Sequence, residues 1–274
     1  MHDPTESRTF KDQTGRSVQI PGIPKRIVSV VPSQTELLYE LGLEDEVCGI
    51  TKFCVHPHKW VRSKTRVGGT KNLHLEKIRS LQPDLILSNK EENSRQQIET
   101  LAAEFPVWIS NIHNLEEAIE MIAQIGSITG KEAEANQLVY RITENFALLK
   151  QSVDFNIPTA CLIWKDPYMV AGSQTFIDDM MKRCGLKNVF SNYTRYPELS
   201  LEQIRDSGAR LLILTSEPYP FSEKHLPELQ RLLPGLHLQL ADGEMFSWYG
   251  SRLVQSALYL QKLALEIKTG LGSF

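Results

Sequence analysis

The loop Phe53-Cys54-Val55-His56-Pro57-His58-Lys59-Trp60 sets a thiol and two imidazoles at alternate positions. In an extended chain alternate side chains share a face, which would put Cys54, His56 and His58 together. A thiolate and two imidazoles suit zinc or another borderline metal, but a structural zinc needs a fourth ligand and a paired spacing that this loop lacks. The plainer reading is a polar loop facing solvent or a cleft, with Phe53 and Trp60 serving as a ligand wall or a core edge. Three more stretches mix polar groups with aromatic or acidic ones: Lys90-Glu91-Glu92-Asn93, Trp164-Lys165-Asp166-Pro167-Tyr168-Met169 and Met245-Phe246-Ser247-Trp248-Tyr249-Gly250-Ser251-Arg252. Aromatic residues beside Gly and Pro, off any periodic strand, suit a flat-walled binding cleft as well as a packed edge.

Catalytic signatures are missing. No G-x-G-x-x-G follows a strand, and there is no G-x-S-x-G elbow or H-E-x-x-H motif. Gly126-Ser127-Ile128-Thr129-Gly130-Lys131-Glu132 imitates a P-loop but is one residue short, and Glu132 stands where a magnesium-binding hydroxyl belongs. Glu76 and Glu202 each sit in the first turn of an expected helix. The macrodipole there stabilises an acid by roughly 0.3–1 kcal/mol, and Ser200 with Gln203 forms a capping box around Glu202.

The elements that must position these residues alternate. Thr9–Ile20 reads as a hairpin, and Arg26–Val31 as a buried strand before a helix capped by Ser33 with Glu36 and ended by Gly42. Further strands are expected at Val47–Thr51, Leu85–Ser88, Val107–Ser110, Ala160–Trp164, Leu211–Thr215 and Leu236–Leu240, with helical patterns between most of them. That alternation predicts α/β architecture with largely parallel sheets. Lys90–Asn93 follows the Leu85–Ser88 strand directly, at the carboxyl end where open α/β sheets bind ligands. A solvated loop would have the same composition.

Lys131–Val153 contains no Gly or Pro, and Leu138, Val139, Ile142, Phe146, Leu149 and Val153 recur at helical spacing. At 1.5 Å per residue this is a rod of about 35 Å, either a surface helix or a strut between two lobes. Internal similarity favours the strut. Leu75-Glu76-Lys77-Ile78-Arg79 returns as Leu201-Glu202-Gln203-Ile204-Arg205 at an offset of 126, and the same offset carries Leu85–Leu87 onto Leu211–Ile213. Ser33-Gln34-Thr35 returns as Ser173-Gln174-Thr175 at an offset of 140. The expected organisation is an N-terminal α/β lobe over 1–130 with a hairpin at 7–21, a connecting helix over 131–153 and a C-terminal α/β lobe over 154–274.

Composition agrees with a folded globular chain: 41% hydrophobic and 23% charged residues, with a net charge of −3. That balance offers no basic footprint for nucleic acid or an anionic membrane. Four cysteines are too few for a disulfide scaffold. The first residues show no charged n-region with an apolar core, so no secretory leader is expected in the chain as it stands.

Asp12-x-x-Gly15-Arg16-x-Val18-x-Ile20-Pro21, followed by Pro24-Lys25-Arg26-Ile27-Val28-Ser29-Val30-x-Pro32-Ser33-x-Thr35-Glu36, resembles the start of class III periplasmic substrate-binding proteins. These helical-backbone metal receptors serve ABC importers of cobalamin, ferric siderophores and haem. Val67-Gly68-Gly69 and Leu75-Glu76-x-Ile78-x-x-Leu81-x-Pro83-Asp84-Leu85-Ile86 carry the same resemblance, which spans nearly the whole chain and is nearest the cobalamin-binding branch. It implies two Rossmann-like lobes joined by one long helix with the ligand cleft between them, and no enzyme activity or intrinsic cofactor. The transported ligand would be a corrinoid or a ferric-siderophore or haem-type chelate. The implied ligand residues are Phe53, His56, Asn89, Lys90, Trp164, Tyr168, Trp248, Tyr249 and Arg252, and the implied partner is a permease dimer docked through Glu76 and Glu202 of a monomer. Ser88-Asn89 departs from the pattern, standing where cobalamin binders carry Trp. The family works in the periplasm or cell envelope. The alternative is a cytosolic metal- or corrinoid-handling protein or enzyme on the same fold, using Cys54, His56 and His58.

Overall fold

A computed structural model describes residues 7–271. β1 (Ser7–Lys11) and β2 (Ser17–Pro21) pair antiparallel as the expected hairpin. Its turn is set by Asp12, whose Oδ1 accepts from the backbone N–H groups of Thr14 and Arg16, and by Gly15 at φ +89°.

Two compact units follow. The first takes the chain up to Ile112, then Glu116–Tyr140 and Tyr249–Arg252; the second takes His113–Leu115, Arg141–Trp248 and the chain from Leu253 on. In the first, β3 (Ile27–Ser29), α1 (Pro32–Glu40), β4 (Val47–Ile50), α2 (His58–Ser63), β5 (Thr65–Arg66), α3 (Leu75–Ser80), β6 (Leu85–Asn89), α4 (Arg95–Ala102), β7 (Val107–Ser110) and α5 (Leu115–Thr129) succeed one another. The strands form a wholly parallel sheet in the order β5-β4-β3-β6-β7. β3 and β6 are buried along their whole length, which is why they read as apolar runs without alternation. Val28, Val30, Ile78, Ile86 and Leu101 belong to the core on one face of this sheet.

α6 (Glu132–Ser152) follows, with a buried stripe of Ala135, Leu138, Ile142, Phe146 and Leu149 at spacings of three and four. The second unit then runs through β8 (Ile157–Trp164), β9 (Met169–Val170), α7 (Phe176–Arg183), β10 (Leu186–Asn188), α8 (Leu201–Arg205), β11 (Leu211–Thr215), α9 (Leu226–Leu232), β12 (His237–Ala241), α10 (Gly243–Ser247) and α11 (Leu253–Gly270). Its sheet is parallel in the order β10-β8-β11-β12, with β9 turned back antiparallel on β8. The two-residue β9 is too short to show a sequence period. Ala160, Leu162, Leu212, Leu214 and Leu229 lie in its core.

The helix-to-strand repeat is held in register: α3 and α8 start at Leu75 and Leu201, and β6 and β11 at Leu85 and Leu211. Two local expectations fail. Ser33 does not cap α1, because Pro32 with its fixed φ opens the helix one residue earlier and Val31 is the N-cap, without a side-chain cap bond. Thr175 caps α7 by accepting from the Asp178 N–H, whereas Thr35 lies inside α1. The Ser-Gln-Thr recurrence therefore falls on non-equivalent positions.

Candidate functional site

In a parallel sheet every strand delivers its following loop to one edge, and the crevice lies where successive connections leave in opposite directions. In the first unit that place is beside β3 and β6, which are adjacent while their next neighbours, β4 and β7, lie on opposite sides. A polar lattice fills it. Asn89 is buried; its Oδ1 accepts from the N–H groups of Glu91 and Glu92 (2.8 and 3.0 Å), and its Nδ2 donates to Ser110 Oγ (3.0 Å). Asn93 Nδ2 donates to the Val30 and Thr70 carbonyls, tying this loop to the end of β3. Asn89 thus shapes the turn that presents Lys90, which is exposed.

The segment Tyr249–Arg252 joins this lattice. Tyr249 is buried and its hydroxyl donates to Glu92, with burial and that neighbouring acid pushing the phenol well above its usual pKa. Arg252 meets Glu36 through Nε and Nη2 at 3.0 and 2.6 Å, a bidentate pair. Gly250 lies so close to α1 that a Cβ would stand 2.7 Å from the Ser33 carbonyl oxygen.

The loop after β4 is different. Phe53 is 51% exposed with Lys52 Nζ 5.0 Å from its ring centroid, and His56 is half-buried with its ring 5.7 Å from that of His58. Cys54 turns inward, fully buried, with Sγ 3.1 Å from Thr35 Oγ1 and 3.2 Å from Thr51 Oγ1. Burial raises its thiol pKa, the opposite of a reactive or metal-binding cysteine. The alternating face expected for Cys54, His56 and His58 does not form: Cys54 is buried, whereas His58 is exposed at the start of α2. Among the described residues no three His, Cys, Asp or Glu side chains are grouped to hold a metal ion.

In the second unit the corresponding edge is aromatic. Trp164, 38% exposed at the end of β8, meets Tyr219 edge-on at 5.7 Å, and Tyr219 lies 4.6 Å from Phe221. Tyr168 is half-buried against the core, while Lys165 is paired with Glu228 at 2.6 Å. Trp248 is 7% exposed and its Nε1 donates to Glu217 at 2.6 Å; Ser247 Oγ donates to the same carboxylate oxygen at 3.1 Å. Burial holds the Glu217 carboxyl above the ordinary value. Sequence reasoning missed Glu217 and Tyr219, gave Glu36 only a capping role, and reached Glu92 only as part of the Lys90–Asn93 stretch. A signal for the first existed: the 126-residue register carries Glu91, just past β6, onto Glu217, just past β11.

Glu76 and Glu202 are exposed on the first turns of α3 and α8. Arg79 Nη1 contacts Glu76 while its Nη2 holds Glu104 at 2.6 Å; the equivalent Arg205 turns to Asp206 instead.

The periplasmic binding protein profile matches residues 27–232, most of the chain. The chain belongs to the periplasmic binding protein family. YvrC of Bacillus subtilis (strain 168), an uncharacterised ABC transporter substrate-binding lipoprotein, is 30% identical over 206 residues, covering 72% of this chain. The chain spans just under two thirds of that relative, 65%. The vitamin B12-binding protein of Photorhabdus laumondii is 24% identical over 196 residues, covering 70% of this chain and 71% of its own. The crystal structure of the periplasmic vitamin B12 binding protein BtuF of Vibrio cholerae superposes with a TM-score of 0.76 at 17% identity, covering 89% of this chain and 98% of that one. The α/β fold is that of this solved structure.

Proposed function

We propose that the protein is the substrate-binding component of an ABC importer, that it works in the periplasm or cell envelope, and that its ligand is a corrinoid. The reading rests on one observation above others: the carboxyl-end loops carry stacking surfaces and few uncommitted charges. Phe53 and Trp164 are exposed aromatics, Trp248 and Tyr249 hold their polar tips on acids, and Lys165 and Arg252 are paired. Such walls suit a large, nearly planar metal complex held by its faces, with a few polar groups such as Asn89, Lys90 and His56 setting orientation. A ferric siderophore or haem is the second ligand class, and Lys52 and Lys90 are the exposed cations able to meet its acidic groups.

Calorimetric titration with cyanocobalamin, cobinamide, haemin and a ferric trihydroxamate tests the ligand. Heat from the corrinoids alone supports the reading, heat from the ferric chelate or haemin alone replaces it, and heat from none overturns it. Delivery would use Glu76 and Glu202, exposed at the starts of equivalent helices, against cationic groups of a permease dimer. Glu76→Ala with Glu202→Ala should leave ligand heats intact and abolish capture of the permease; retained capture would remove both residues from docking.

A further inference from the structure

Trp248 and Tyr249 are consecutive, yet the first belongs to the second unit and the next to the first unit. Each puts its polar tip on a carboxylate of its own unit: Trp248 Nε1 on Glu217, two residues past β11, and the Tyr249 hydroxyl on Glu92, three residues past β6. Both acids come from the same step of the fold, the loop after the strand of the repeated helix-to-strand element. Both rings are buried, at 7% and 6% exposure, where a hydrogen bond to a carboxylate helps to fix a ring plane that χ2 alone leaves broadly free.

The backbone is shaped to allow it. At Gly243 a Cβ would lie 2.6–2.9 Å from Glu217 atoms, and at Gly250 it would lie 2.7 Å from the Ser33 carbonyl. A close glycine thus stands on either side of the aromatic pair. A carboxylate desolvated beside α10 is costly unless its hydrogen bonds are used, and Ser247 and Trp248 both use Glu217 Oε1.

We infer that Glu92 and Glu217 are positioning residues, one in each unit, that orient Tyr249 and Trp248 respectively for ligand contact without touching the ligand themselves. This rests on the reading of Trp248 and Tyr249 as part of the ligand wall. What each acid supplies is an acceptor at a fixed point, so glutamine can replace it and alanine cannot.

The experiment compares Glu217→Ala, Glu217→Gln, Trp248→Phe and Glu217→Ala/Trp248→Phe, with Glu92→Ala, Glu92→Gln and Tyr249→Phe as the parallel set. Binding of cyanocobalamin and cobinamide is read by calorimetry, and tryptophan emission is read on the ligand-free proteins. Loss of either acceptor should weaken binding about tenfold, the scale of a hydrogen bond to a charged group. Glutamine should recover most of that loss, and the Glu217→Ala/Trp248→Phe double variant should be no worse than its worse single. The ligand-free emission maximum should move in Glu217→Ala and return in Glu217→Gln. Unchanged affinity and emission in the alanine variants would overturn the inference, as would glutamine variants as poor as alanine or losses that simply add. If the wild type binds neither corrinoid, the functional reading fails separately, and the emission of the Glu217 variants alone decides the positioning. Circular dichroism melts identify any variant that fails to fold, and the glutamine variants, which keep the acceptor, stand in for it.

Discussion

The two units share an architecture and a repeated helix-to-strand register, yet they finish the same sheet edge with opposite chemistry. In the first, the ends of β3, β6 and β7 are knitted by Asn89, Asn93 and Ser110, and the chain's own Tyr249–Arg252 is held there by Glu92 and Glu36. In the second, the ends of β8 and β11 carry Trp164, Tyr219 and Phe221, and the half-buried Glu217, two residues past β11, accepts from Ser247 and Trp248. A parallel sheet dictates where loops emerge and leaves their composition open. The hydrogen-bonded edge is suited to holding its shape, and the aromatic edge to offering surface.

The comparison breaks most visibly if the cores are not equivalent. Ile86 on β6 and Leu212 on β11 are matched by the 126-residue register and are both fully buried. Ile86→Ala and Leu212→Ala should each cost about 2–5 kcal/mol in urea unfolding, from lost transfer energy and the cavity left behind. Two separate cores predict that the double variant adds within about 0.5 kcal/mol, whereas marked non-additivity would tie the cores together.

A smaller effect separates the equivalent helices. α8 carries a full capping box, with Ser200 Oγ accepting from the Gln203 N–H at 3.2 Å and Gln203 Oε1 accepting from the Ser200 N–H at 2.8 Å. α3 starts from His74 with no side-chain cap. Ser200→Ala should therefore cost about 1 kcal/mol and His74→Ala much less, by chemical denaturation; equal losses would show that capping does not distinguish them.

The smallest effect concerns pH. Burial raises the Glu217 carboxyl above its ordinary 4.5, so the native state holds that proton more tightly than the unfolded chain does. The contribution of this group to stability is then present at low pH and is lost as pH rises through the raised value. Glu217→Gln, neutral throughout, should melt above wild type near pH 8, and the gap should close as the pH falls toward 4.5. A gap that widens on acidification would mean that the ionised form is the one the native state favours.

Most of the architecture was legible because it depends on local pattern. Strands buried on both faces read as apolar runs, and α6 reads from its stripe without Gly or Pro. The failures were also local in kind. Ser33 resembles a cap, but Pro32 fixes the start of α1, and the Cys54–His58 alternation fails because Cys54 is buried whereas His58 is exposed at the start of α2. Site residues were readable only as positions past strand ends. Asn89, Lys90 and Trp164 could be placed that way, but nothing in the sequence says that Asn89 braces a turn or that Arg252 meets Glu36.

What the sequence determined by itself was therefore the fold class, the repeat and the edge to which the chemically capable loops are delivered. Periodicity, turn residues and strand direction act over a few residues, and each can be read one stretch at a time. Only the tertiary structure decided which acid faces which ring. Glu92 and Tyr249 are separated by 157 residues, and Glu36 and Arg252 by 216. Pairings over such distances are chosen by packing that brings remote loops to one sheet edge, where a buried phenol or guanidinium is stable only beside an acceptor.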